Sequence, residues 1–370
     1  MFAGESSTQG KDRTKRFKED ESEKGEDRIS TLPDDIIADK ILSRDFDTKF
    51  LISTGIISKR WQHLWKFVPY LVFSDESLRK KVEESLFVFG FGDKPFLEFY
   101  NGVNGALAQY RLQSVTKFEV DVNYNARFSQ DVKRWIEFAL SRYVKEFSLN
   151  LRHLGDHDTY SIISDLFYKS SDFTSLDIGY CLLRPNVAIA WKNLNKLTIS
   201  KSRLEDELIP NIVRGRPLLH TLIICNCRGY VINIPSRSVK HLEIHGFESD
   251  ELETLLEIVA PYITHLTIVD SLWISNISLT DVSSVVKAYL NFEFPHFSHR
   301  IKKPYAELLL GEMVTNLDQA TEVEIGISCY PIICRMASKG YTLPPNVVGV
   351  DTSSIYYADS NVEVIDSETE

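Results

Sequence analysis

A hydrophobic pattern with the spacing apolar-x-x-apolar-x-apolar recurs along this chain from about residue 115. Its matches are Val115/Phe118/Val120, Val144/Phe147/Leu149, Phe173/Leu176/Ile178, Leu194/Leu197/Ile199, Leu219/Leu222/Ile224, Val239/Leu242/Ile244, Ile263/Leu266/Ile268 and, beyond an irregular segment, Ala320/Val323/Ile325. From Phe118 to Leu266, consecutive units lie 20 to 29 residues apart. Alternation of apolar and polar residues predicts a strand with one buried face, so each unit should contribute one strand.

This period and spacing are the signature of a leucine-rich repeat. The sequence therefore predicts an α/β fold in which each unit is a short parallel strand followed by a return segment. Amphipathic spacing predicts helical returns at residues 132–143, 208–213 and 252–259, whereas residues 232–235 should be extended. Because one unit cannot bury its own apolar side, neighbouring units must stack into a solenoid with a curved parallel sheet.

Residues 27–73 follow a different pattern, in which three short helices carry large apolar side chains. Pro33 suits the first turn of the first helix, and the second helix is predicted from about residue 47 to residue 57. Ser58 should cap the third helix, which places on one face Trp61, Leu64, Trp65 and Val68. We expect so small a module to need a partner to cover both tryptophans and the Ile36–Ile37 edge.

The changes in pattern divide the chain into successive parts. The predicted divisions are a disordered charged tail at 1–26, the helical module at 27–73, a linker or cap at 74–112, the repeat domain at 113–337, and a C-terminal extension with an acidic tail at 338–370.

Composition narrows the classes of function. The chain has 370 residues, 43% of them hydrophobic, and a formal net charge of −10, which argues against a general nucleic-acid binder. Five cysteines at irregular spacing indicate a reducing compartment rather than a disulfide framework. The charged N-terminus and the absence of a long apolar run predict a cytoplasmic or nuclear protein that does not enter a membrane.

Strand alternation places a polar ladder on the concave, open face of the repeats. From this ladder we predict a target-binding surface composed of Asp177, Lys196, Thr198, Thr221, Ile223, His241, Glu243, His245, His265 and Thr267. The alternative is an ordinary solvated face. Imidazole and carboxylate groups are zinc ligands, but alternate residues on one strand stand too far apart for a tight site, so no metal and no cofactor is expected. The chain also lacks phosphate-binding loops and hydrolase motifs, so it is predicted not to be an enzyme.

The helical module carries Leu32-Pro33-Asp34-Asp35 and Ser58-Lys59-Arg60-Trp61 followed by Leu64-Trp65, and residues 281–288 add Asp-Val-Ser-Ser-Val-Val-Lys-Ala. In these motifs the chain resembles the plant F-box/leucine-rich-repeat (FBD-like) family. The resemblance implies a non-catalytic substrate receptor of a cullin-RING (SCF-type) ubiquitin ligase. Its F-box would bind the Skp-type linker protein, and through it a cullin, while the repeats would bind a target protein that the sequence does not name.

By that resemblance, and from the apolar spacing, we predict that the linker is bound by Leu32, Pro33, Ile36, Ile37, Ile41, Leu42, Ile57, Ser58, Lys59, Trp61 and Trp65. Arg60 should lie at the rim of this surface beside Lys59. Apolar anchors are expected to supply most of the affinity.

Two departures from the family pattern bear on linker binding. Residues 38–40 and residues 44–47 are each one residue longer than usual. One added residue rotates a helix by about 100°, which predicts a re-registered apolar face on the first helix. These departures leave open a repeat scaffold that no longer engages the ligase. The resemblance leaves open a second alternative, a receptor of the same architecture whose target binding requires a small molecule.

Overall fold

A computed structural model describes residues 31–42, 46–85, 94–153, 160–162, 164–214, 218–248, 255–274, 276–293 and 303–349. The charged tail, the start of the F-box motif at 27–30 and the acidic end beyond residue 349 lie outside the described residues. In the described part of the chain, no helix is long and apolar enough to cross a membrane.

The main element of the described chain is a parallel sheet of eleven strands. In spatial order these are β1 Tyr70–Ser74, β2 Lys117–Asn123, β3 Glu146–Arg152, β5 Ser175–Gly179, β7 Lys196–Ser200, β8 Thr221–Arg228, β10 His241–Glu248, β12 His265–Trp273, β14 Lys287–Glu293, β15 Glu322–Ile325 and β16 Val347–Val348. A parallel sheet whose strands follow chain order, each joined to the next by a return segment, is a leucine-rich-repeat solenoid. The predicted fold class is confirmed.

The segments between these strands cover one face of the sheet. Helices occupy several of them: α3 Glu76–Ser85, α4 Lys94–Gln109, α5 Ser129–Ser141, α6 Asp165–Lys169, α7 Leu208–Val213, α8 Lys303–Asn316 and α9 Tyr330–Ser338. Short strands occupy others: β4 Tyr160–Ile162, β6 Cys181–Leu183, β9 Val231–Asn233, β11 Leu255–Val259 and β13 Asn276–Thr280. β4 pairs with β6, and β11 lies between β13 and β9. The other face of the main sheet, which we call the open face, carries the polar alternate positions.

One backbone arrangement repeats at the start of each strand. The carbonyl of Thr116 accepts the amides of both Lys145 and Glu146, and the carbonyl of Lys145 accepts those of Thr174 and Ser175. Equivalent pairs of bonds are accepted at each later step by the carbonyls of Thr174, Asn195, His220, Lys240, Thr264 and Val286. These bonds fix the register between consecutive units, so the predicted apolar positions align across the sheet.

The aligned apolar positions form the core. Phe118 pairs in register with Phe147, their rings stack with centroids 6.0 Å apart, and Leu176 continues the same row. Each of these side chains is at most 2% exposed. Burying a large apolar side chain contributes about 1.5–3 kcal/mol, so the stacked rows supply the main driving force for this fold.

Three strands of the sheet, β1, β14 and β16, lie outside the eight matches of the sequence pattern, and β14 and β1 carry the full set of apolar positions. In β14, Val285, Ala288 and Leu290 take the three apolar positions, each no more than 4% exposed. The stretch between the matches at 263–268 and 320–325, which the sequence predicts to be irregular, therefore contains a regular unit at β14. At the other end Val68, Leu71 and Phe73 take the same positions, and β1 pairs with β2. The sheet thus begins inside the segment assigned to the helical module.

The return segments match the prediction in part. The predicted helices at 132–143 and 208–213 are α5 and α7, with Val132, Ile136 and Ile212 buried. The helix predicted at 252–259 is wrong, because this segment contains strand β11 with Leu256 and Ile258 buried. Pairing with β9 and β13 on both sides satisfies its backbone, and that non-local pairing overrides the local helical spacing.

A left-handed residue ends the regular alternation in five consecutive units. The residues are Tyr180 (φ 56°), Lys201 (49°), Asn226 (47°), Gly246 (70°) and Asp270 (67°). Glycine is required most clearly at position 246, because a Cβ there would lie 2.4 Å from Asn226 Oδ1. After this residue the chain turns inward, which explains why Cys227 and Phe247 are fully buried although the period of two has been broken.

The helical module uses tighter and looser turns than the predicted α-helices. α1 Asp34–Ile36 continues as a π-helical turn at Ile37–Ile41, and α2 Thr48–Ser53 continues as a 3₁₀ turn at Thr54–Ile56. The third predicted helix is a 3₁₀-helix at Trp61–Phe67. The helices exist where predicted, but their type differs.

Candidate protein-interaction surfaces

The core of the helical module is closed by the chain itself. Trp61 is 9% exposed, Trp65 is 4% exposed and Ile37 is fully buried. The expectation that both tryptophans need a partner to cover them is therefore wrong. Cover comes from residues after the module: the Tyr110 hydroxyl donates to the Val68 carbonyl at 2.8 Å, and β2 packs beside β1.

The predicted linker-binding residues separate into two groups. Four of them are buried in the core of the module: Ile37, Leu42, Trp61 and Trp65. In this structure these four are core residues and not contact residues. Accessible positions are Pro33, Ile36, Ile57, Ser58 and Lys59, with Leu32 and Ile41 half-buried. The Arg60 Nε donates to Asp34 Oδ1 at 2.6 Å, which joins the third segment to the first.

Large apolar side chains nevertheless reach solvent between residues 46 and 57. Their exposed fractions are 39% for Phe46, 51% for Phe50, 42% for Ile52, 89% for Ile56 and 69% for Ile57. We call these five residues the apolar segment. Exposed apolar side chains concentrated in one stretch mark an interaction site more often than scattered ones do.

The local structure explains why these side chains point outward. In α2 only Leu51 and Thr48 face inward, at 1% and 0% exposure, so their neighbours on the opposite side of the helix are left in solvent. Thr48 Oγ1 accepts the amide of Val72 at 2.9 Å, and Asp47 Oδ2 accepts that of Ser74 at 3.3 Å. These bonds fix α2 against β1. The linker-binding set predicted from the sequence omitted Phe46, Phe50, Ile52 and Ile56, although a six-residue helix with adjacent apolar residues necessarily exposes some of them.

The inserted residue in the first helix is absorbed by the π-helical turn. The amide of Leu42 donates to the carbonyl of Ile37 at 2.9 Å, a bond across five residues instead of four. Such a bulge takes up one extra residue without rotating the next part of the chain. Ile37 and Leu42 are both in the core, at 0% and 2% exposure, so the predicted re-registration of the apolar face does not occur. The second insertion lies partly outside the described residues.

A charged network joins the module to the first repeats. Asp75 is fully buried after β1, its Oδ2 accepts the amide of Asn123 at 2.7 Å, and its Oδ1 lies 2.7 Å from Arg79 Nη1. Asp121 contacts Arg79 at 3.3 Å and Arg152 at 2.7 Å. Burial raises the pKa of Asp75, and the Asn123 amide and Arg79 only partly offset that effect. Residues from β1, β2 and β3 are thereby held together.

The open face contains the predicted target-binding residues at partly exposed positions. Asp177, Lys196 and Thr198 line one depression of about 260 Å³. The Ser148 hydroxyl donates to Asp177 Oδ2 at 3.3 Å, and burial raises the pKa of Asp177. This volume is below the usual range for small-molecule pockets. Its polar lining is suited to a side chain of a partner.

The histidines of the ladder are brought together. The rings of His241 and His265 stack with centroids 4.3 Å apart, while His245 Nε2 lies 3.1 Å from Glu243 Oε2. Thr221, Ile223 and Thr267 occupy the registered positions beside them. Stacked rings do not converge on one ion, and the described residues contain no group of three or more ligands placed to hold a metal.

Three of the described cysteines, Cys181, Cys227 and Cys329, are buried in the core, whereas Cys225 and Cys334 are partly exposed. Burial raises the pKa of Cys227 to about 12 and that of Cys329 to about 11, so their thiols stay protonated and unreactive at neutral pH. Cys227 donates to the carbonyl of Ile199 at 3.3 Å. These thiols offer no activated nucleophile.

Comparison with known proteins agrees with this architecture. The family model of the At1g61320/AtMIF1 leucine-rich-repeat domain matches residues 107–321. F-box protein At5g03100 of Arabidopsis thaliana is 27% identical over 86% of this chain and 95% of its own length. F-box/LRR-repeat protein 25 of the same plant is 29% identical over 66% of this chain and 86% of its own length.

Other relatives are longer than this chain. One from Arabidopsis thaliana, F-box/LRR-repeat protein At3g03360, is 24% identical over 86% of this chain, which spans 63% of that protein. Further relatives are 28 to 30% identical, with the chain spanning 55 to 64% of their lengths. No solved structure matches. The repeat sheet, the helical module at its start and these matches together show that the chain belongs to the plant F-box/leucine-rich-repeat family.

Proposed function

We propose that this protein is a substrate receptor of an SCF-type ubiquitin ligase, with the helical module binding the Skp-type linker and the open face binding a target protein. The observation that carries this proposal is the apolar segment, which stays in solvent although the rest of the module has closed its core. The names of the relatives, which include the term F-box, support the same assignment.

On the linker side, the contacts are expected from the accessible residues. Ile56 and Ile57 are the most exposed members of the apolar segment. Removing a large apolar side chain from water contributes about 1.5–3 kcal/mol, so these two residues can act as anchors. Ser58 and Lys59 follow them directly and fit a polar rim. The tryptophans shape this surface from below.

On the target side, the open face presents polar groups on a rigid sheet. Asp177 and Lys196 give it charges of both signs in one depression, and the histidines of β10 and β12 add donors and acceptors. A mixed polar surface selects a partner through matched hydrogen bonds and charges. The open face therefore suits a partner whose polar groups complement this pattern.

The mechanism is tethering, without bond chemistry by this chain. A receptor that holds a target near a ubiquitin-carrying enzyme converts a bimolecular encounter into a local one, with an effective concentration in the millimolar range for short tethers. Because β1 belongs to the repeat sheet and also carries the bonds to α2, the module and the repeats are joined without a flexible linker. The fold of the receptor then sets the distance between the bound Skp-type protein and the bound target.

Co-expression of the full chain with a plant Skp-type linker and a cullin tests the proposal. The expected result is one stoichiometric complex. Replacing Ile57 by Ser should weaken it by at least about tenfold, whereas replacing Leu166 by Ser should not, because Leu166 is equally exposed (68% against 69%) but lies on α6. A complex that tolerates Ile57→Ser equally well would contradict the assigned surface. A folded chain that binds no linker would favour the scaffold alternative.

A further inference from the structure

The charges of the open face do not balance. Three of its basic side chains are already paired with carboxylates, as Lys117–Glu119 at 2.9 Å, Arg152–Asp121 at 2.7 Å and Lys287–Glu322 at 2.7 Å. Six carboxylates on or beside this face have no lysine or arginine partner among the described residues: Glu146, Asp177, Glu243, Asp270, Glu293 and Glu324. Among the basic side chains at described positions of this face, Lys196 alone lacks a carboxylate partner. The open face therefore keeps an uncompensated negative charge.

Three of these unpaired carboxylates lie in one line across the middle of the sheet. Strand pairing places Asp177, Glu243 and Glu324 in the same register row, each three strands from the next. Neighbouring strands lie about 4.8 Å apart, so consecutive carboxylates are spaced by about 14 Å. The positions between them in the row carry no charged side chain: Thr198, Ile223, Thr267 and Tyr289. We call the three carboxylates the acidic row.

The contacts of the acidic row do not supply a cation. Asp177 lines the depression of about 260 Å³ and accepts from the Ser148 hydroxyl, and burial raises its pKa. Glu243 Oε2 contacts an imidazole, with His245 Nε2 at 3.1 Å, and Glu324 is exposed on β15. A carboxylate that is partly withdrawn from water is stabilised in its ionised form by a nearby positive charge. The row therefore gains most from a partner that brings cations.

We propose that the acidic row is the docking site for a segment of the target protein that is rich in lysine or arginine. This inference rests on the proposed role of the open face and adds the chemistry of the target. Ammonium and guanidinium groups only donate hydrogen bonds and ionised carboxylates only accept them, so the two sides are complementary. An acidic or phosphorylated segment would instead meet charges of its own sign.

The spacing of the row fits an extended segment that crosses the strands. An extended chain rises about 3.4 Å per residue, so a spacing of about 14 Å corresponds to about four residues. Residues four apart in an extended chain lie on the same side. Basic side chains at every fourth position can therefore reach all three carboxylates at once. Tyr289, which pairs in register with Glu324, adds an aromatic ring beside one of these positions, which suits a cation.

The test uses the full chain and three fluorescent peptides of equal length on a Gly/Ser background. Every fourth residue is Lys in the first peptide, Gln in the second and Glu in the third. At about 50 mM salt the Lys peptide should bind at least about tenfold more tightly than the Gln peptide, and the Glu peptide should bind no better than the Gln peptide. Raising the salt to about 500 mM should remove most of this preference, because salt screens exposed charges.

Two double variants with the same change in net charge separate the acidic row from a general attraction to an acidic protein. Asp177→Asn/Glu243→Gln should remove most of the preference for the Lys peptide. Asp206→Asn/Glu207→Gln is the matched control, because both positions are exposed directly ahead of α7, in a return segment, and it should keep the preference. All four replacements preserve side-chain shape, and equal thermal unfolding of the two variants checks that both are folded.

Carbodiimide coupling gives a measurement that needs no variant, because it joins a bound lysine to the carboxylate beside it. Mass spectrometry should locate the coupled Lys peptide on Asp177, Glu243 or Glu324. The proposal is overturned by a Lys peptide that binds no better than the Gln peptide, by equal effects of the two double variants, or by coupling confined to the return segments. Linker binding is measured separately, so a chain that binds the linker without this preference contradicts this inference and not the ligase proposal.

Discussion

The carbonyl oxygen of Pro69 accepts the amide of Thr116 at 2.8 Å and that of Lys117 at 3.3 Å. This is the same pair of bonds that joins each later repeat to the one before it. Pro69, which follows the third helix of the helical module, is thus also the first residue in this series of backbone bonds between repeats. The two parts of the chain share one sheet, so the two surfaces proposed for linker and target binding are held at a fixed distance.

The junction between α2 and β1 can be weakened by removing one hydrogen-bond acceptor, Thr48 Oγ1. Replacing Thr48 by Val keeps the buried shape but removes the hydroxyl oxygen that accepts the Val72 amide, which leaves a donor unpaired. We expect the free energy of unfolding to fall by about 1–3 kcal/mol in urea titrations. Ser53→Ala, at an exposed position of the same helix, is the control and should have little effect. A Thr48→Val protein as stable as the wild type would argue against the junction described.

Core and contact residues of the module should respond in opposite ways. Trp65→Ala removes a buried ring and should lower the free energy of unfolding by about 3–5 kcal/mol. Ile57→Ser changes a side chain that is 69% exposed and should leave stability within about 0.5 kcal/mol. Thermal and urea unfolding of the two variants check this contrast. Similar losses of stability in both would show that Ile57 packs inside the protein.

The π-helical turn predicts an unusual tolerance to deletion. Removing Lys40 shortens the Ile37–Leu42 bond from five residues to four, which converts the π turn to α-helix while both ends stay in the core. We expect a folded protein with wild-type linker binding and a melting temperature that is unchanged or higher. Deleting Leu51 from regular helix α2 is the comparison, and it should be strongly destabilising. Unfolding of the Lys40 deletion would contradict the role given to the π turn.

Glu307 lies near the C-terminal end of the solenoid and should make the free energy of unfolding depend on pH. Its carboxylate lies 2.6 Å from Lys339 Nζ and 3.2 Å from Arg335 Nε, and these partners lower its pKa. A lowered pKa in the folded state stabilises the protein above the unfolded pKa of about 4.3, and that contribution is lost as pH falls through the folded value.

Glu307→Gln should therefore lower the free energy of unfolding by about 1 kcal/mol at about pH 7 and by much less at about pH 3, measured by urea titration at both pH values. Glu312→Gln, on the same helix and exposed, is the control. A gap between wild type and Glu307→Gln that stays constant over this pH range would argue against these ion pairs.

Local spacing was sufficient to predict most of the repeat sheet. Leucine-like positions such as Leu222 and Leu242 face the core because alternation in a strand is a local property. The unit containing Ala288 was missed because a small residue occupies a position where the pattern expects a large one. The first unit was missed because Val68 was already assigned to a helical stripe, and the same apolar residue satisfies both periods.

The interaction surfaces were harder to predict from the sequence than the repeat sheet was. Burial of Trp61 and Trp65 depends on residues such as Tyr110, which lies far along the chain and bonds to Val68. Exposure of Ile56 depends on α2 being fixed to β1. The contact between the His241 and His265 rings arises from register between strands and was suggested by spacing, but the tilted contact of the His220 ring with the His241 ring was not expected.

Binding of a Skp-type linker by the exposed apolar segment is the central claim. Its most direct test is calorimetric titration of a purified plant linker into the full chain and into an Ile56→Ser/Ile57→Ser double variant of matched thermal stability. We predict one-to-one binding for the wild type and an affinity reduced at least about a hundredfold in the double variant. A stable wild-type chain that gives no binding heat at micromolar concentrations, or a double variant that binds as tightly, would contradict the claim.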